Sequence, residues 1–225
     1  NSRRVPGITL SGFSTKSDSI ELKEKLSEQN YHPVFLKRND FENYYQGFCN
    51  EIIWPLFHYF AQYANYQKKY WDSYKRVNEA FSKEVLEVAN DDDVIWIHDY
   101  HLMLLPGLIR KKMPKVKIGF FLHIPFPSSE IFRLIPWCTE LLDGLLGADL
   151  IGFHTFDYAR HFLESVRRVL GYEHTLGQIT LGNHAVKVDT FPMGIDYQKF
   201  SHAPEKKEVQ TSISKFRENI KKDYK

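Results

Sequence analysis

The second half of the chain alternates short, almost wholly apolar runs with amphipathic stretches of helical period. The apolar runs are rich in β-branched and aromatic residues, which is typical of strands buried on both faces of a parallel sheet. Strands that alternate with helices predict βαβ units, and therefore an α/β fold with a Rossmann-like parallel sheet and flanking helices. The predicted strands are DDVIWIHD, VKIGFFLHI, ADLIGFHT and AVKVDTFPMGID, and the predicted helices are LMLLPGLIRKKM, SSEIFRLI, CTELLDGLL and FDYARHFLESVRRVL.

The first half of the chain is predicted to be largely helical from Phe41 to Val88. Apolar residues recur at helical spacing in FENYYQGFCNEIIW, and YWDSYKRVNEAFSKEVLEVA predicts a long amphipathic helix. Because a proline disfavours the α region for the residue before it, Pro55 predicts a kink or boundary at Trp54. Further upstream, DSIELKEKLSEQ predicts a helix and HPVFLKR a short strand, whereas NSRRVPGITLSGFSTKSDS predicts no clear element.

Composition limits the classes of protein to which the chain can belong. Of its 225 residues, 43% are hydrophobic and 26% are charged, which is enough apolar material for a sizeable core. We expect a domain over residues 1–200, followed by a charged helix or linker over 201–225. The net charge of +2 gives no electrostatic case for nucleic acid. No apolar run approaches the length of a membrane span, so we expect no membrane partner.

Two cysteines, Cys49 and Cys138, lie far apart in the sequence. Neither belongs to a C-x-x-C motif or has a neighbour at zinc-ligand spacing. No signal peptide is visible. The simplest interpretation is a reduced protein in the cytoplasm.

Polar residues follow each predicted strand of the second half. The strand VIWI precedes His98, the strand IGFFL precedes His123, DLIGF precedes His154, and the last strand precedes residues 193–196. In open α/β sheets, ligands bind beyond the carboxyl ends of the strands. We therefore expect these four groups to meet along one rim and to form a site for a polar ligand.

Plainer interpretations compete at several of these positions. A single histidine at a strand end is more often structural than catalytic, and strand ends are polar because they meet water. Adjacent residues of a strand point to opposite faces, so only one of His98 and Asp99 is expected to face the cleft. Thr155 is better explained as the N-cap of the next helix, and Phe48 and Phe57 as core residues.

A metal site can be drawn from His98, Asp99, His101 and His123, but the pattern does not favour one. The sequence H-D-Y-H lacks the spacing of a helical zinc motif, and nothing indicates a second shell of supporting residues. A glycine-rich phosphate loop is also absent from the sequence. No metal is predicted.

The stretch FFLHIPFPSSE places His123 in a rigid corner. Pro125 and Pro127 fix the backbone that directs the imidazole. Ser128 or Ser129 is expected to cap the helix that follows. The pattern predicts a histidine held in place at the edge of the cleft.

Four segments together closely resemble the trehalose-6-phosphate synthases. The resemblance runs from about Val34 to Phe200 in the family's order and spacing, and it is nearer to the plant and protist branch than to the bacterial one. It implies the N-terminal half of a GT-B fold in a retaining glycosyltransferase. The segments are YYQGFCNEIIWPLFHY, DDDVIWIHDYHLMLLPGLIRKK, IGFFLHIPFPSSEIFRLIP and LIGFHTFDYARHFL.

The resemblance also implies a reaction. Glucose would move from UDP-glucose to glucose 6-phosphate, giving trehalose 6-phosphate and UDP with retained configuration, and without a metal or other cofactor. In this family the N-terminal domain holds mainly the acceptor, and the C-terminal domain holds the nucleotide sugar.

Five residues take roles by this resemblance. Tyr45 matches the tyrosine at the phosphate end of the acceptor, and Trp54 matches the tryptophan that walls the acceptor ring. Asp99 matches the carboxylate that accepts hydrogen bonds from the acceptor hydroxyls. His123 matches the histidine that reaches the donor glucose, and Ile124 the apolar residue that helps to select the α-anomer. The catalytic pair implied in this way is Asp99 and His123.

Other parts of the family's machinery are expected outside this chain. Its first strand, its glycine-rich donor loop and an acceptor-binding arginine should lie upstream, and Arg3 and Arg4 do not correspond to that arginine. The C-terminal domain, with the arginine and lysine that neutralise the UDP phosphates, should follow. We therefore expect residues 1–225 alone to be inactive.

Alternatives to a synthase stay open at this point. One is a non-catalytic regulatory relative that senses sugar phosphates, since the resemblance extends to members of the plant and protist branch that are fused to a phosphatase-like domain and are regulatory, with weak or no activity. Another is a GT-B transferase with a different acceptor. A homo-oligomer, or a hetero-oligomer with other subunits of trehalose synthesis, is compatible with each.

Overall fold

The computed structural model describes residues 7–11, 24–26 and 28–223. The chain divides into two compact units, Asn1–Phe191 and Pro192–Lys225, which are described separately. The strands, all in the first unit, are β1 (Gly7–Ser11), β2 (Tyr31–Phe35), β3 (Val94–His98), β4 (Lys117–Phe121), β5 (Leu150–Phe153), β6 (His174–Thr175), β7 (Gln178–Leu181) and β8 (His184–Thr190).

Helices flank these strands. The α-helices of the first unit are α1 (Arg38–Phe41), α2 (Trp54–Phe57), α3 (Lys68–Val88), α4 (Leu105–Arg110), α5 (Ser129–Phe132), α6 (Cys138–Leu145) and α7 (Phe156–Leu170). A π-helix covers Glu42–Ile53, and 3₁₀ turns cover Ala61–Tyr63 and Tyr100–Leu102.

The main sheet has six strands in the order β3-β4-β5-β8-β7-β6. Strands β3, β4, β5 and β8 are parallel, with Val94 opposite Lys117 and Gly119 opposite Leu150. Strands β6 and β7 extend the sheet as antiparallel neighbours. A separate parallel pair is formed by β1 and β2. The predicted α/β class with a parallel, Rossmann-like sheet is thereby confirmed.

Two parts of the sheet depart from the sequence prediction. Strand β1 lies in a stretch for which no element was predicted, and strands β6 and β7 were not predicted either. The predicted helix DSIELKEKLSEQ is described only in part: residues 24–26 and 28 are helical, residue 29 lies in a turn, and residues 18–23 and 27 lie outside the described residues.

The helix from Glu42 to Ile53 is of the π type, which has a wider turn than the α-helix expected from its spacing. Trp54 has φ −56° and ψ −56°, so the expectation that Pro55 would exclude the α region there is wrong. The expected boundary does fall at this point, because α-helical geometry begins at Trp54. Pro55 has no N–H for the carbonyl of Glu51, which instead accepts a hydrogen bond from the Asn65 N–H at 3.0 Å.

Aromatic side chains join the π-helix to α3 and form much of the core. The rings of Phe48 and Tyr74 have centroids 4.2 Å apart, and those of Trp71 and Trp137 stack at 5.2 Å. Phe48 and Phe57 are fully buried. These packed aromatic groups bury a large apolar area, which makes α3 a rigid support for the neighbouring strand ends.

Helices α4 and α6 approach each other closely through glycines. A Cβ on Gly144 would lie 2.6 Å from the Met103 carbonyl oxygen, and one on Gly147 would lie 2.4 Å from the Gly107 nitrogen. Only hydrogen fits at these two positions. The close approach fixes α4 directly after the loop that leaves β3.

The second unit contains α8 (Tyr197–Ser201), a 3₁₀ turn (Ala203–Glu205) and α9 (Lys207–Asp223). The side chain of Asp196 caps α8 by accepting a hydrogen bond from the Lys199 N–H at 3.0 Å. Neither α8 nor the 3₁₀ turn contains a buried residue.

Candidate active site

Three histidines meet at the carboxyl ends of β3, β4 and β5. His98 Nδ1 lies 2.9 Å from His123 Nε2, and the two rings have centroids 5.2 Å apart. The ring of His154 lies 5.7 Å from that of His123 in an edge-on arrangement. The parallel strands therefore bring three of the four predicted groups together. The fourth, residues 193–196, belongs to the second unit.

Asp99 links the ends of β3 and β4. Its N–H donates to the Phe121 carbonyl at 2.8 Å, and its Oδ1 accepts from the His123 N–H at 3.2 Å. Its φ of 72° and ψ of 169° interrupt the strand's alternation. Although they are adjacent in sequence, both residues contact His123: His98 through its ring and Asp99 through its carboxylate.

Tyr45 is connected to Asp99 through the ring of His101. The two rings stack with centroids 5.5 Å apart and an interplanar angle of 12°. His101 Nδ1 lies 4.0 Å from Asp99 Oδ2. The phenol of Tyr45 is 37% exposed, so it is accessible to a ligand beside the Asp99 carboxylate.

Trp54 and Ile124 occupy different environments. Trp54 is 47% exposed, and its ring centroid lies 6.0 Å from that of Tyr100. Tyr100 is the residue that follows Asp99 in the sequence. Ile124 follows His123 in the chain, but its side chain is only 6% exposed and belongs to the hydrophobic core. Trp54 therefore offers a broad face to a ligand, whereas Ile124 offers little surface.

Helix α3 holds the loop that carries Asp99 and His101. The Tyr74 hydroxyl donates to the Tyr100 carbonyl at 2.8 Å and accepts from the Met103 N–H at 2.9 Å. The Asn78 amide donates to the His101 carbonyl at 3.2 Å. The amphipathic pattern of this helix predicts Tyr74 to lie on the apolar stripe, and it gives no role to Asn78. A polar residue among the apolar positions of α3 was the available signal.

Burial keeps two of the histidines in their neutral form. Desolvation lowers the pKa of His98 below its usual value of about 6.5, and the neighbouring His123 lowers it further. Desolvation also lowers the pKa of His101, although the Asp99 carboxylate opposes this shift. Near neutral pH both rings are uncharged and can each offer one donor and one acceptor.

The loop after His123 is fixed by its surroundings. The Ser128 N–H donates to the Tyr59 hydroxyl at 3.0 Å. Ser128 occupies the N-cap position of α5, but its side chain makes no capping hydrogen bond. The predicted N-cap Thr155 is confirmed, since its hydroxyl accepts from the Tyr158 N–H at 3.4 Å.

Among the described residues, no group of three or more His, Cys, Asp or Glu side chains has an arrangement that could hold a metal ion. Within the same ranges, no helix combines the length and the apolar character needed to cross a membrane.

The fold and the rim define the class of protein: a Rossmann-like α/β domain with a polar, aromatic-walled site at the carboxyl ends of its parallel strands. Residues 7–225 match glycosyltransferase family 20, and the chain belongs to that family.

A curated relative from Pichia angusta, "Alpha,alpha-trehalose-phosphate synthase [UDP-forming]", is 45% identical over 226 residues, which cover 98% of this chain and 47% of the relative. The present chain thus spans less than half of that protein's length.

Two solved structures support the same relationship. The N-terminal domain of Candida albicans trehalose-6-phosphate phosphatase has a TM-score of 0.78 and 37% identity, covering 97% of this chain and 47% of that one. A UDP-forming synthase from Burkholderia xenovorans in complex with glucose-6-phosphate has a TM-score of 0.73 and 31% identity, covering 82% of this chain and 42% of that one. The resemblance to trehalose-phosphate synthases predicted from the sequence is confirmed.

Proposed function

We propose that the protein carrying this chain is a UDP-forming trehalose-phosphate synthase. The observation that carries the proposal is the family match over residues 7–225 together with 45% identity to a protein of that name. The reaction breaks the bond between the anomeric carbon of UDP-glucose and its phosphate oxygen. A new bond forms to the anomeric oxygen of glucose 6-phosphate, whose hydroxyl proton is released.

In this proposal the acceptor lies across Tyr45, Trp54 and Asp99. The exposed indole of Trp54 packs against the C–H face of the sugar ring. The Asp99 carboxylate accepts hydrogen bonds from the sugar hydroxyls. Hydrogen bonds to a charged carboxylate are stronger than those between neutral groups. Tyr45 lies beyond His101 at the phosphate end.

The donor side of the proposed site begins at His123. Its ring is exposed at the rim, and its backbone is held by Asp99 at 3.2 Å. A polar group already fixed in position lowers a barrier without reorganising during the reaction. Ile124 is proposed to limit the space beside the anomeric carbon. Because the Ile124 side chain is buried, it would act by packing beneath the backbone of the loop that follows β4.

Charge on the leaving diphosphate needs a second group of residues. The rim residues described above supply one carboxylate, several imidazoles and aromatic rings, none of which carries a permanent positive charge. Neutralising two phosphates calls for arginine or lysine. We propose that residues outside this chain supply them, and that residues 1–200 form the acceptor domain, with 201–225 as the charged connection.

Turnover by the full-length protein is the test of the proposed reaction. Incubated with UDP-glucose and glucose 6-phosphate, it should release UDP and trehalose 6-phosphate in equal amounts. Replacing glucose 6-phosphate by glucose should abolish most of the turnover. Failure to form either product would contradict the proposed reaction, provided that circular dichroism shows a folded protein.

A second candidate is a non-catalytic, sugar-phosphate-sensing relative. The observation in its favour is the TM-score of 0.78 with a domain from a protein named as a phosphatase. Calorimetry separates the two candidates. Glucose 6-phosphate binding that is lost in Trp54→Ala, without any UDP release, would favour the sensing role.

We also propose a cytoplasmic location and assembly with other subunits of trehalose synthesis. The support for a reducing compartment is that Cys49 and Cys138 are both free thiols, and Cys49 is buried. Fractionation and size-exclusion chromatography of the full-length protein test the location and the assembly respectively.

A further inference from the structure

We propose that His98 is a positioning residue for His123, fixing its ring so that Nδ1 is the nitrogen left for the substrate. This inference deepens the proposed function and rests on it for the role of His123. The sequence places both residues at strand ends, but their separation of 25 positions hides the contact.

The geometry limits what the ring of His123 can do. Its Nε2 lies 2.9 Å from His98 Nδ1, within hydrogen-bond distance. Its other close ring neighbours are Phe121, with centroids 4.8 Å apart, and His154 at 5.7 Å. These two rings pack against His123 and restrict its rotation. The hydrogen bond to His98 then sets which edge of the imidazole faces outward.

Both tautomeric arrangements of the neutral pair engage the same atoms. Either His98 Nδ1–H donates to His123 Nε2, or His123 Nε2–H donates to His98 Nδ1. In the first case Nδ1 of His123 presents a hydrogen to the cleft, and in the second it presents a lone pair. In both cases the tautomer of His123 is set by its partner rather than by solvent.

Charge makes the contact sensitive to pH. One added proton is shared across the hydrogen bond, but two would leave donors facing each other at 2.9 Å. The titratable groups that surround the pair are Asp99, which follows His98 and favours its charged form, and His154, which faces His123. The pH dependence of the contact therefore follows the protonation of His98, whose pKa is lowered by burial and by the neighbouring His123.

Three substitutions of His98 test the proposal in the full-length protein. In His98→Asn, the amide falls near the original Nδ1 and can keep the hydrogen bond. In His98→Gln, the amide falls near Nε2, away from His123. In His98→Phe, no hydrogen bond is possible.

We expect His98→Asn to keep kcat/KM for trehalose 6-phosphate formation within about threefold of the unsubstituted protein. The Gln and Phe variants should lose about tenfold, the effect of one positioning hydrogen bond. The acid limb of the pH profile should change in His98→Asn even though its activity is kept, because an amide does not titrate in this range. His174→Gln, on the exposed strand β6, is the matched control and should change neither quantity.

A second readout does not depend on turnover. Nitrogen-15 NMR of the labelled imidazoles, with the His123 signals assigned by their loss in His123→Gln, reports the tautomer. One tautomer should dominate in the unsubstituted protein and in His98→Asn, whereas His98→Phe should give the mixture typical of free imidazole.

The two readouts distinguish the possible failures. A fixed tautomer that depends on His98, in a protein without synthase activity, would sustain the positioning role and contradict the proposed function. Normal synthase activity with the same His123 tautomer in all three His98 variants would overturn the positioning role. Should His98→Phe fail to fold, the contrast between Asn and Gln gives the same decision.

Discussion

The backbone of Asp99 adopts a conformation that residues other than glycine rarely hold. Its φ of 72° with ψ of 169° lies in a region that costs a residue with a Cβ about 1–3 kcal/mol. The strain is maintained by the hydrogen bonds from Asp99 N–H to Phe121 and from His123 N–H to Asp99 Oδ1. Strain held in this way at a proposed acceptor site keeps the carboxylate directed at the rim.

Glycine and alanine at position 99 should therefore reverse their usual order of stability. Asp99→Gly relieves the strain, whereas Asp99→Ala keeps it, and both lose the hydrogen bond to His123. We expect the Gly variant to have the higher free energy of unfolding by about 1 kcal/mol, after allowing for the greater flexibility of glycine in the unfolded chain. Urea denaturation of both variants measures the difference. An alanine variant more stable than the glycine variant would contradict the strained conformation.

Asp99→Asn tests the carboxylate itself. Asparagine keeps the Cβ and the shape of the side chain, so the cost of the backbone conformation is unchanged, but it loses the charge. We expect the thermal midpoint to change little and kcat/KM for glucose 6-phosphate to fall on the order of tenfold to a hundredfold, as for the loss of charged hydrogen bonds. Steady-state kinetics of the full-length protein check this. Activity retained in full would remove Asp99 from the acceptor site.

Acid should destabilise the first unit through its neutral histidines. Burial lowers the pKa of His98 and His101, so the unfolded chain binds more protons than the folded one as pH falls through about 6.5. Stability is therefore full above the unfolded pKa and decreases below it, by at most about 1.4 kcal/mol per pH unit for each histidine. Thermal midpoints measured from pH 7.5 to 5 should fall, and His98→Asn should lessen the slope. An equal slope in that variant would argue against a depressed pKa at His98.

Single residues of the site were predictable to different degrees. The strand-end histidines follow from the hydrophobic pattern, because parallel strands deliver their ends to one edge. Tyr45 and Trp54 required the family resemblance, since aromatic residues at helical spacing otherwise indicate core. The contact between Asp99 and the His123 N–H was not predictable, because the positive φ at Asp99 leaves no signal in a non-glycine residue.

At the scale of elements, α3 is the support on which the loop after β3 rests. Tyr74 and Asn78 satisfy the carbonyls of Tyr100 and His101, which lie at the 3₁₀ turn where no strand or α-helix partner is available. Burial raises the pKa of Tyr74 well above its usual value, so its hydroxyl stays protonated and keeps donating.

Tyr74→Phe removes one hydroxyl and leaves two buried backbone groups without their partner. We expect a loss of about 2–3 kcal/mol in the free energy of unfolding and a lower kcat/KM, because the Asp99 loop is no longer held. Tyr63→Phe, at a tyrosine that is 69% exposed, is the control and should have no effect. Chemical denaturation and kinetics measure both. Equal behaviour of the two variants would show that α3 does not anchor the loop.

At the contact between α4 and α6, we expect Gly144→Ala to destabilise the protein, although alanine has the higher helix propensity. Gly144→Ala would favour the helix by up to about 1 kcal/mol, but the new methyl would lie 2.6 Å from the Met103 carbonyl oxygen, which is backbone. We expect a net loss of about 1–3 kcal/mol. Thr139→Ala, on the exposed side of the same helix, should be neutral or stabilising. Thermal unfolding compares the two, and a stabilising Gly144→Ala would mean that the helices can separate without cost.

Long periodic elements were the most predictable. Helix α7 covers the predicted stretch FDYARHFLESVRRVL without a shift, and its capping threonine was also predicted. The hairpin of β6 and β7 was overlooked because its turn uses Leu176 at a φ of 50°, a conformation for which leucine gives no signal. Gly182-Asn183, between β7 and β8, was a usable hairpin signal. The π-helix was not predictable, since its apolar spacing over a few turns resembles that of an α-helix.

The whole molecule has two parts of unequal local stability. The first unit contains the aromatic core and the six-stranded sheet. The second unit has exposed or partly exposed side chains throughout residues 192–220. Local opening requires little free energy where few apolar groups are buried.

Hydrogen exchange should separate the two units in residues 1–225 produced alone. Amides of α9 are expected to exchange within seconds to minutes, whereas those of β4 and β5 should stay protected for hours or longer, near the limit set by global unfolding. Mass spectrometry of peptides from both regions measures this. Protection of α9 comparable to that of β5 would show that the helix is stabilised by contacts of its own.

The hydrogen bond from the His123 N–H to Asp99 Oδ1 joins a residue proposed to bind the donor to a residue proposed to bind the acceptor. A ligand that hydrogen-bonds to the Asp99 carboxylate would shift the position of His123. A ligand bound by His123 would change the charge distribution at the Asp99 carboxylate. By linkage, glucose 6-phosphate would then alter the affinity for UDP-glucose by the same factor with which UDP-glucose alters the affinity for glucose 6-phosphate. In the proposed synthase, the affinity for each substrate therefore depends on whether the other is bound, and a titration of either substrate in the presence of the second measures that dependence.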